Sequence, residues 1–467
     1  MPDIEQVIAS GMCVGCGTCA HARPDLYSIE MTPAGHWSAK SKGPEQDPTL
    51  SRLCPMSGAS RNETELAAQL YPELPEDSQI GRYLSTFAAH VAEGGFRAAG
   101  GSGGLVSWIL AELFRRGDID AVLHVKPADP KHNDGLLFHY AISNSAQEML
   151  GGAKSRYYPI EMSGVLAALK DSPKRFAVVG LPCFIKAIRL LQDEGLLRRE
   201  NTPYCLGLVC GHLKSHYFAE YLAWQKNVEP GTLSSFDFRR KLMDRRASDY
   251  GFAYRSDSDA GADAEKVWPM ASVRGRDWGE GLFKNAACEY CDDVLAECAD
   301  VAIGDAWLPD YIADPLGTNV VVTRHPYIDQ IIKDGADRGA VVLGPADVQA
   351  VIQSQSSGLR HRREGLSHRL AQRKRVGKWA PVKRVEPAFA PTRHRRKIYD
   401  ARLEIAEKSA ALFGAVRQSK QPLDKFELQV APLVARYKKA SLGESRRGLK
   451  SLAKRIVHRL RAIWSRN

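Results

Sequence analysis

Three cysteines fall in the short stretch "GMCVGCGTCA": Cys13, Cys16 and Cys19, each three positions after the one before. C-x2-C-x2-C lets one loop present three thiolates to one 4Fe–4S cluster, with the fourth ligand arriving from further along the chain, often before a proline. Cys54, followed by Pro55 in "SRLCPMSG", meets that description. Gly15 and Gly17 suit a loop that must turn sharply around a bulky inorganic core. Thiolate is soft and electron-rich and so matches iron and sulfide. A zinc knob is the alternative occupant of the same four thiols.

A second set of thiols is dispersed. "ACEYCDD" holds Cys288 and Cys291, Cys183 ends "VGLPC", and Cys210 ends "GLVC". The last two stand where expected strands run out, and in an open α/β sheet the carboxyl ends of strands line one crevice. Cys183, Cys210, Cys288 and Cys291 are therefore expected to meet as a second cluster site, although each alone reads as a buried core thiol. Cys205 and Cys298 are left over: Cys205 is expected to be buried on its strand, and Cys298 competes for a ligand place.

Other chemistry-bearing stretches surround these. "EGGFRAAGGSGGLVSW" runs a glycine cluster (Gly101, Ser102, Gly103, Gly104) into a helix, an arrangement that can offer backbone N–H groups to the phosphates of FAD or simply turn the chain. It is neither a complete G-x-G-x-x-G nor a P-loop. In "GGAKSRYYP", Lys154 and Arg156 can neutralise phosphate and Tyr157 can stack on a ring; a solvated loop would look the same. His212, two residues after Cys210, is a candidate proton donor and equally a polar residue at a strand end. No nucleophile–base pattern of the hydrolase type is present.

The elements that must position these groups alternate. Helical periodicity covers "GLVSWILAELFRRGD", "MSGVLAALKDS", "FIKAIRLLQDEG" and "HYFAEYLAWQKN". Between and after them lie strand-like runs: "IDAVLHVKP", "KRFAVVG", "TPYCLGLV", "ECADVAIGDAW" and "TNVVVTR". This alternation implies an α/β fold with a mixed or largely parallel sheet. A small ferredoxin-like cluster segment (1–62) precedes it, joined by "YPELPEDSQI", which reads as a linker. The core divides into a flavin-binding part (80–165) and a second part with the other cluster (166–330). A basic helical extension (361–467) follows.

Charge is uneven. From Arg360 onward there are 30 Lys and Arg against 8 Asp and Glu, whereas residues 1–359 hold 35 against 46. At the end Leu449, Leu452, Ile456, Leu460 and Ile463 fall on one helical face beside Trp464, so the tail reads as a surface for an anionic membrane or a partner, or as a solvated helix. Nucleic acid is not expected, since no recognisable module accompanies the charge. The first ten residues have no basic and apolar signal pattern and no apolar run reaches membrane length, so the expected location is cytoplasmic, peripheral at a membrane through the tail.

Taken together, "CVGCGTC" with "LCP", "GGSGGLVSWIL", "GGAKSRYYP", "VVGLPCFIKAIR", "LGLVCGH", "FDFRRK" and "CEYCDDVLAECADVAIGDAW" resemble the family of coenzyme F420 hydrogenase/dehydrogenase beta subunits, which includes iron–sulfur flavoproteins of the 7-hydroxymethyl chlorophyll a reductase type. The resemblance covers about residues 10–325. It implies an oxidoreductase with one or two 4Fe–4S clusters and FAD, exchanging electrons between clusters and flavin and hydride with an organic substrate. It places Gly101 to Gly104 and Lys154 at FAD, gives Cys183, Cys210, Cys288 and Cys291 to the inner cluster, and sets Lys241 of "FRRK" facing flavin or substrate. Asp305 in "IGDAW" also matches, without an implied role. The redox partner would be ferredoxin, a reduced nicotinamide or a deazaflavin coenzyme. The rival expectation is a non-enzymatic electron relay whose tail docks a partner, a membrane or nucleic acid. The tail has no counterpart in the minimal form of that family.

Overall fold

The computed structural model describes residues 3–169, 172–257 and 264–464, with side chains described as far as residue 443. An eight-stranded sheet lies at the centre. Its strands, numbered along the chain, are β1 (Ser85–Val91), β2 (Ala121–Pro127), β3 (Phe138–Ser143), β4 (Phe176–Gly180), β5 (Tyr204–Leu208), β6 (Val301–Asp305), β7 (Asn319–Thr323) and β8 (Val341–Gly344). Across the sheet the order is β8-β1-β7-β6-β5-β4-β2-β3. Four adjacent strands, β6, β5, β4 and β2, are mutually parallel. The outer strands on either side pair antiparallel.

Burial explains the composition of the middle strands. "FAVVG" in β4 and "NVVVT" in β7 are buried along their whole length, as strands covered on both faces must be. Side chains alternate between two cores. Val122, Ala177, Leu206 and Val321 pack with the helices Leu105–Arg116 and Pro326–Asp337. Leu123, Val178, Cys205 and Val322 pack with the helix Pro182–Asp193 and with the N-terminal segment. That segment is therefore part of the main core, with Ile4, Val7, Leu50 and Leu53 in the same cluster. β1 escapes sequence reading because "STFAAHV" is held by small residues: Ala88 and Ala89 are fully buried where β-branched residues would be expected.

Two regions differ from the expectations. "YPELPEDSQI" is not a free linker: the Tyr71 hydroxyl donates to Asp300 at 2.9 Å, Ile80 is buried, and Glu76–Asp77 pairs with Gly81–Arg82. The basic C-terminal segment is not a free arm over its described side chains. Leu366, Ile405, Phe413 and Phe426 are fully buried. Its long helices, Arg393–Gln418 and Leu423–Trp464, pack against each other and on a third core. That core also contains the antiparallel strands Leu233–Arg240 and Gly251–Ser256 and the helix Tyr217–Trp224. The side chains of Leu449, Leu452, Ile456, Leu460, Ile463 and Trp464 lie outside the described residues. Among the described residues no helix is long and apolar enough to cross a membrane.

The basic residues of this segment find acids on the body. Arg369 reaches Glu289 at 3.1 Å, with neither side chain exposed. Arg384 reaches Glu297 at 2.6 Å and Asp292 at 3.3 Å. Such pairs hold only with their hydrogen bonds in place, and removing one partner strands the other in low dielectric.

Candidate redox site

All ten cysteines are free thiols. The first three come from one glycine-turned loop. Gly15 and Gly17 have φ of +70° and +90°, and a Cβ on Gly15 would lie 2.6 Å from the Cβ of Trp37. Only glycine fits there. Cys13 Sγ accepts N–H groups from Gly15 and Ala39, both at 3.4 Å, and Cys16 Sγ lies 3.3 Å from the Thr18 hydroxyl. Cys54 arrives at the end of the short helix Leu50–Leu53. Burial pushes Cys16 up to about 11, with Cys13 adding repulsion. Cys19 is raised by burial and then by Cys16, Cys13 and Cys54. The four thiols thus stand within one another's field, Cys16 and Cys19 buried and Cys13 and Cys54 half-buried.

The second set is assembled by the sheet. Cys183 stands in the first turn of the helix that follows β4, and Cys210 lies just past β5. Cys288 and Cys291 come from the 3-10 turn Ala286–Tyr290 and its cap. Cys183 is raised by burial, then by Cys291, Cys210 and Cys288, and also by Cys16 of the first set. Burial pushes Cys288 up to about 12, with Cys210 next in effect. The two sets are therefore neighbours, meeting at Cys16 and Cys183. Cys205 and Cys298 stand apart: Cys205 is buried on β5 near Arg189 and Asp300, and Cys298 sits among Glu63, Asp293 and Lys186.

Burial and mutual repulsion hold these thiols in their neutral form, and a metal centre would supply the positive charge that makes thiolates stable there. An all-thiol donor set suits an iron–sulfur cluster, and four thiolates can equally hold zinc.

Beside the second set, at the carboxyl ends of the parallel strands, lies a cavity of about 230 Å³. Gly101, Ser102, Gly104, Lys154, Arg156 and Tyr157 line it, together with Cys210 and His212. Gly103 lies beneath the loop: a Cβ there would meet Asn319 Oδ1 at 2.6 Å and the Ala89 carbonyl at 2.7 Å. Gly104, at φ +84°, opens the helix Leu105–Arg116 toward the same space. Arg156 is the telling residue. Its Nε and Nη1 are buried without partners, and burial lowers it to about 10. An unpaired buried guanidinium beside a helix N-terminus fits an anionic group such as a phosphate.

Lys154 pairs with Asp237 at 3.1 Å, and its backbone takes φ +128°, strained for a non-glycine residue. Lys241 is not among the residues that line this cavity: its ammonium bonds the carbonyls of Ser102, at 2.8 Å, and Arg97, and so ties down the glycine loop. Burial and the neighbouring Lys154 lower it to about 8.

A second cavity, of about 1410 Å³, meets the first at Tyr157, Cys210, Gly211, His212, Trp278 and Asp305. His212 sits at this junction with its ring 4.5 Å from that of Trp278 and its Nε2 unpartnered. Burial, then Lys214, holds it well below the usual histidine range.

Sequence reasoning missed Arg239. It takes Asp305 bidentately at 2.9 and 3.1 Å, donates to the Gly101 carbonyl and to the Tyr157 hydroxyl, both at 3.3 Å, and lies 4.2 Å from the Tyr250 ring centroid. This gives Asp305 its place: it orients the guanidinium that fastens the glycine loop to Tyr157. The signal lay in "FDFRRK" and "IGDAW", which meet here. Arg362 was also missed, because it stands in the segment that reads as a solvated tail.

Two family models, describing the N-terminal part and the C terminus of the coenzyme F420 hydrogenase/dehydrogenase beta chain, match residues 86–167 and 173–349 respectively. The coenzyme F420-dependent sulfite reductase of Methanocaldococcus jannaschii is 24% identical over 324 residues, covering 66% of this chain and 44% of that protein. The chain thus spans less than half of that relative. The F component of the F(420)H(2) dehydrogenase of Methanosarcina mazei is 21% identical over 322 residues, 66% of this chain and 80% of that protein. The beta component of the coenzyme F420 hydrogenase of Methanothermobacter thermautotrophicus is 19% identical over 273 residues, 57% and 86% of the two. Among solved structures, a chain of the F420-reducing [NiFe] hydrogenase complex from Methanosarcina barkeri gives a TM-score of 0.49 at 15% identity, covering 66% of this chain and 99% of that one.

Proposed function

The chain belongs to the family of coenzyme F420 hydrogenase/dehydrogenase beta subunits, and from that premise we propose that it is an iron–sulfur flavoprotein oxidoreductase carrying two 4Fe–4S clusters and FAD. What supports the reading is that Cys19 and Cys183 each lie in the field of the other three thiols of their set, the second set beside a glycine-rimmed cavity lined by Arg156, whose Nε and Nη1 lack partners. When bound, the clusters supply single-electron transfer and the flavin exchanges hydride for two single electrons.

Cys13, Cys16, Cys19 and Cys54 would hold the outer cluster, and Cys183, Cys210, Cys288 and Cys291 the inner one. Arg156 and the amides from Gly101 to Gly104 would bind the anionic part of the flavin, and Tyr157 and Lys154 would border its ring. Arg239 and Lys241 keep the glycine loop in place. His212 Nε2 can hold a proton where the two cavities join. The larger cavity would admit the organic substrate, and Trp278 at the junction would limit water there. The relatives' names make the deazaflavin coenzyme the first hydride partner to test, ahead of a reduced nicotinamide; ferredoxin is the one-electron partner to test.

The experiment is anaerobic purification with iron, sulfide and flavin counted per chain, then bleaching of the flavin by the reduced deazaflavin, NADPH or reduced ferredoxin. The expected count is about eight iron, about eight sulfide and one flavin. Iron and sulfide without flavin would reduce the chain to an electron relay, and zinc in place of iron would overturn the proposal.

A further inference from the structure

We propose that Arg362, supplied by the C-terminal segment beyond both family matches, tunes the inner cysteine site and raises the reduction potential of the cluster held there. This rests on the reading above. Arg362 lies on a single π-helical turn, His361–Gly365, and is 2% exposed. Such wide turns occur mostly as short insertions at functional positions. Its Nη1 donates to Cys291 Sγ at 2.9 Å and to the Asp293 carbonyl. Its Nη2 donates to the carbonyls of Cys210, at 3.0 Å, and Gly211, at 2.7 Å, and stands 3.7 Å from Cys210 Sγ. One fork thus joins the loop after β5 to the C-x2-C loop and touches a ligand on each.

The counter-charge is what singles this residue out. Arg369 and Arg189 are buried against carboxylates, and the half-buried Arg384 pairs with one as well. Arg362 forms no ion pair with a carboxylate among the described residues. The groups its two terminal nitrogens meet are instead Cys291 Sγ at 2.9 Å, Cys210 Sγ at 3.7 Å and backbone carbonyls. A buried cation needs an anion or full hydrogen bonding, and here the thiol ligands supply the negative side.

The electrostatic consequence follows. Reduction adds an electron to the cluster and its ligands. A fixed positive charge within hydrogen-bond reach of the sulfurs stabilises the added charge, as do hydrogen bonds to the sulfurs. Among the described residues the hydrogen-bond partners of the outer thiols are neutral: the N–H groups of Gly15 and Ala39 donate to Cys13 Sγ, and the Thr18 hydroxyl lies beside Cys16 Sγ.

The test uses the full-length protein purified anaerobically, with each cluster followed by EPR through a redox titration. Arg362→Gln removes the charge, Arg362→Lys keeps a charge without the fork, and the exposed Lys374→Gln is the control. Arg362→Gln is expected to keep its iron count and to shift one cluster toward the oxidised form by tenfold or more at a given potential, equivalent to about 59 mV lower for one electron. Arg362→Lys is expected to shift the same cluster less, and the control to shift neither. An inner potential unchanged in Arg362→Gln overturns the inference. If that variant does not retain the inner cluster, Arg362→Lys decides: a lowered potential supports the tuning role and an unchanged one overturns it. A wild-type chain without an inner cluster would defeat the proposed function instead, so the two failures are distinguishable.

Discussion

The two cysteine sets hold the same number of thiols but are built in opposite ways. The outer one takes three of its four from a seven-residue loop, shaped by glycines whose backbone no other residue adopts comfortably. The inner one takes its thiols from two strand ends and a turn, and a cation from the far C-terminal segment reaches across two of them. The outer set is therefore a local motif that a short stretch of chain specifies. The inner set is a product of topology: it exists only once β4 and β5 lie side by side and the segments around residues 290 and 362 have closed on them. Electrostatics divide the same way, since guanidinium reaches the sulfurs of the inner set and neutral donors reach those of the outer.

Substituting ligands should separate the two sets most strongly. Cys210→Ser is expected to remove about four iron per chain and leave the outer cluster's spectrum, whereas Cys16→Ser should do the converse. Iron counting with EPR of the remaining cluster checks this, and loss of both clusters in either variant would break the distinction. The next effect is on the local motif. Gly15→Ala forces a Cβ into Trp37 at φ +70°, which should cost about 2–4 kcal/mol. Chemical denaturation should register that cost, and iron loss should begin at the outer site; a variant as stable as wild type would mean the loop is not as constrained as its backbone implies.

The smallest effect concerns the cations around the inner region. Lys214, next to the residue whose N–H bonds Cys288 Sγ, is lowered to about 7 by burial and then by Lys284. Unfolded, the amine keeps its proton up to about 10.5. Between those values the unfolded chain binds the extra proton, so this group makes stability rise as pH rises from about 7 to about 10.5. Lys214→Met should flatten that part of the pH–stability curve and add about 1 kcal/mol at neutral pH. An unchanged slope in denaturation titrations across the range would exclude the buried amine as its source.

How far the sequence disclosed this arrangement depended on distance along the chain. Cys13, Cys16, Cys19 and Cys54 were legible from spacing and a proline. The placing of Cys183 and Cys210 at neighbouring strand ends was legible because apolar, strand-like runs end just before them. The glycine loop was visible, but Arg239, which fastens it, was not, since nothing local ties "FDFRRK" to "IGDAW" until the sheet places them together. β1 was hidden because small residues do the packing there. The largest misreading was the tail. Its lysines and arginines look solvated in isolation, yet Arg369 is buried against Glu289 and the half-buried Arg384 pairs with Asp292 and Glu297. The excess of acid in residues 1–359 was the available hint: a body short of cations faced a segment rich in them.

Arg362 also has a place in time. A polypeptide leaves the ribosome from its N-terminus, so all eight cysteines of the two sets emerge before the guanidinium that bridges two of them, and the loop after β5 and the C-x2-C loop are joined by it only once residue 362 has followed.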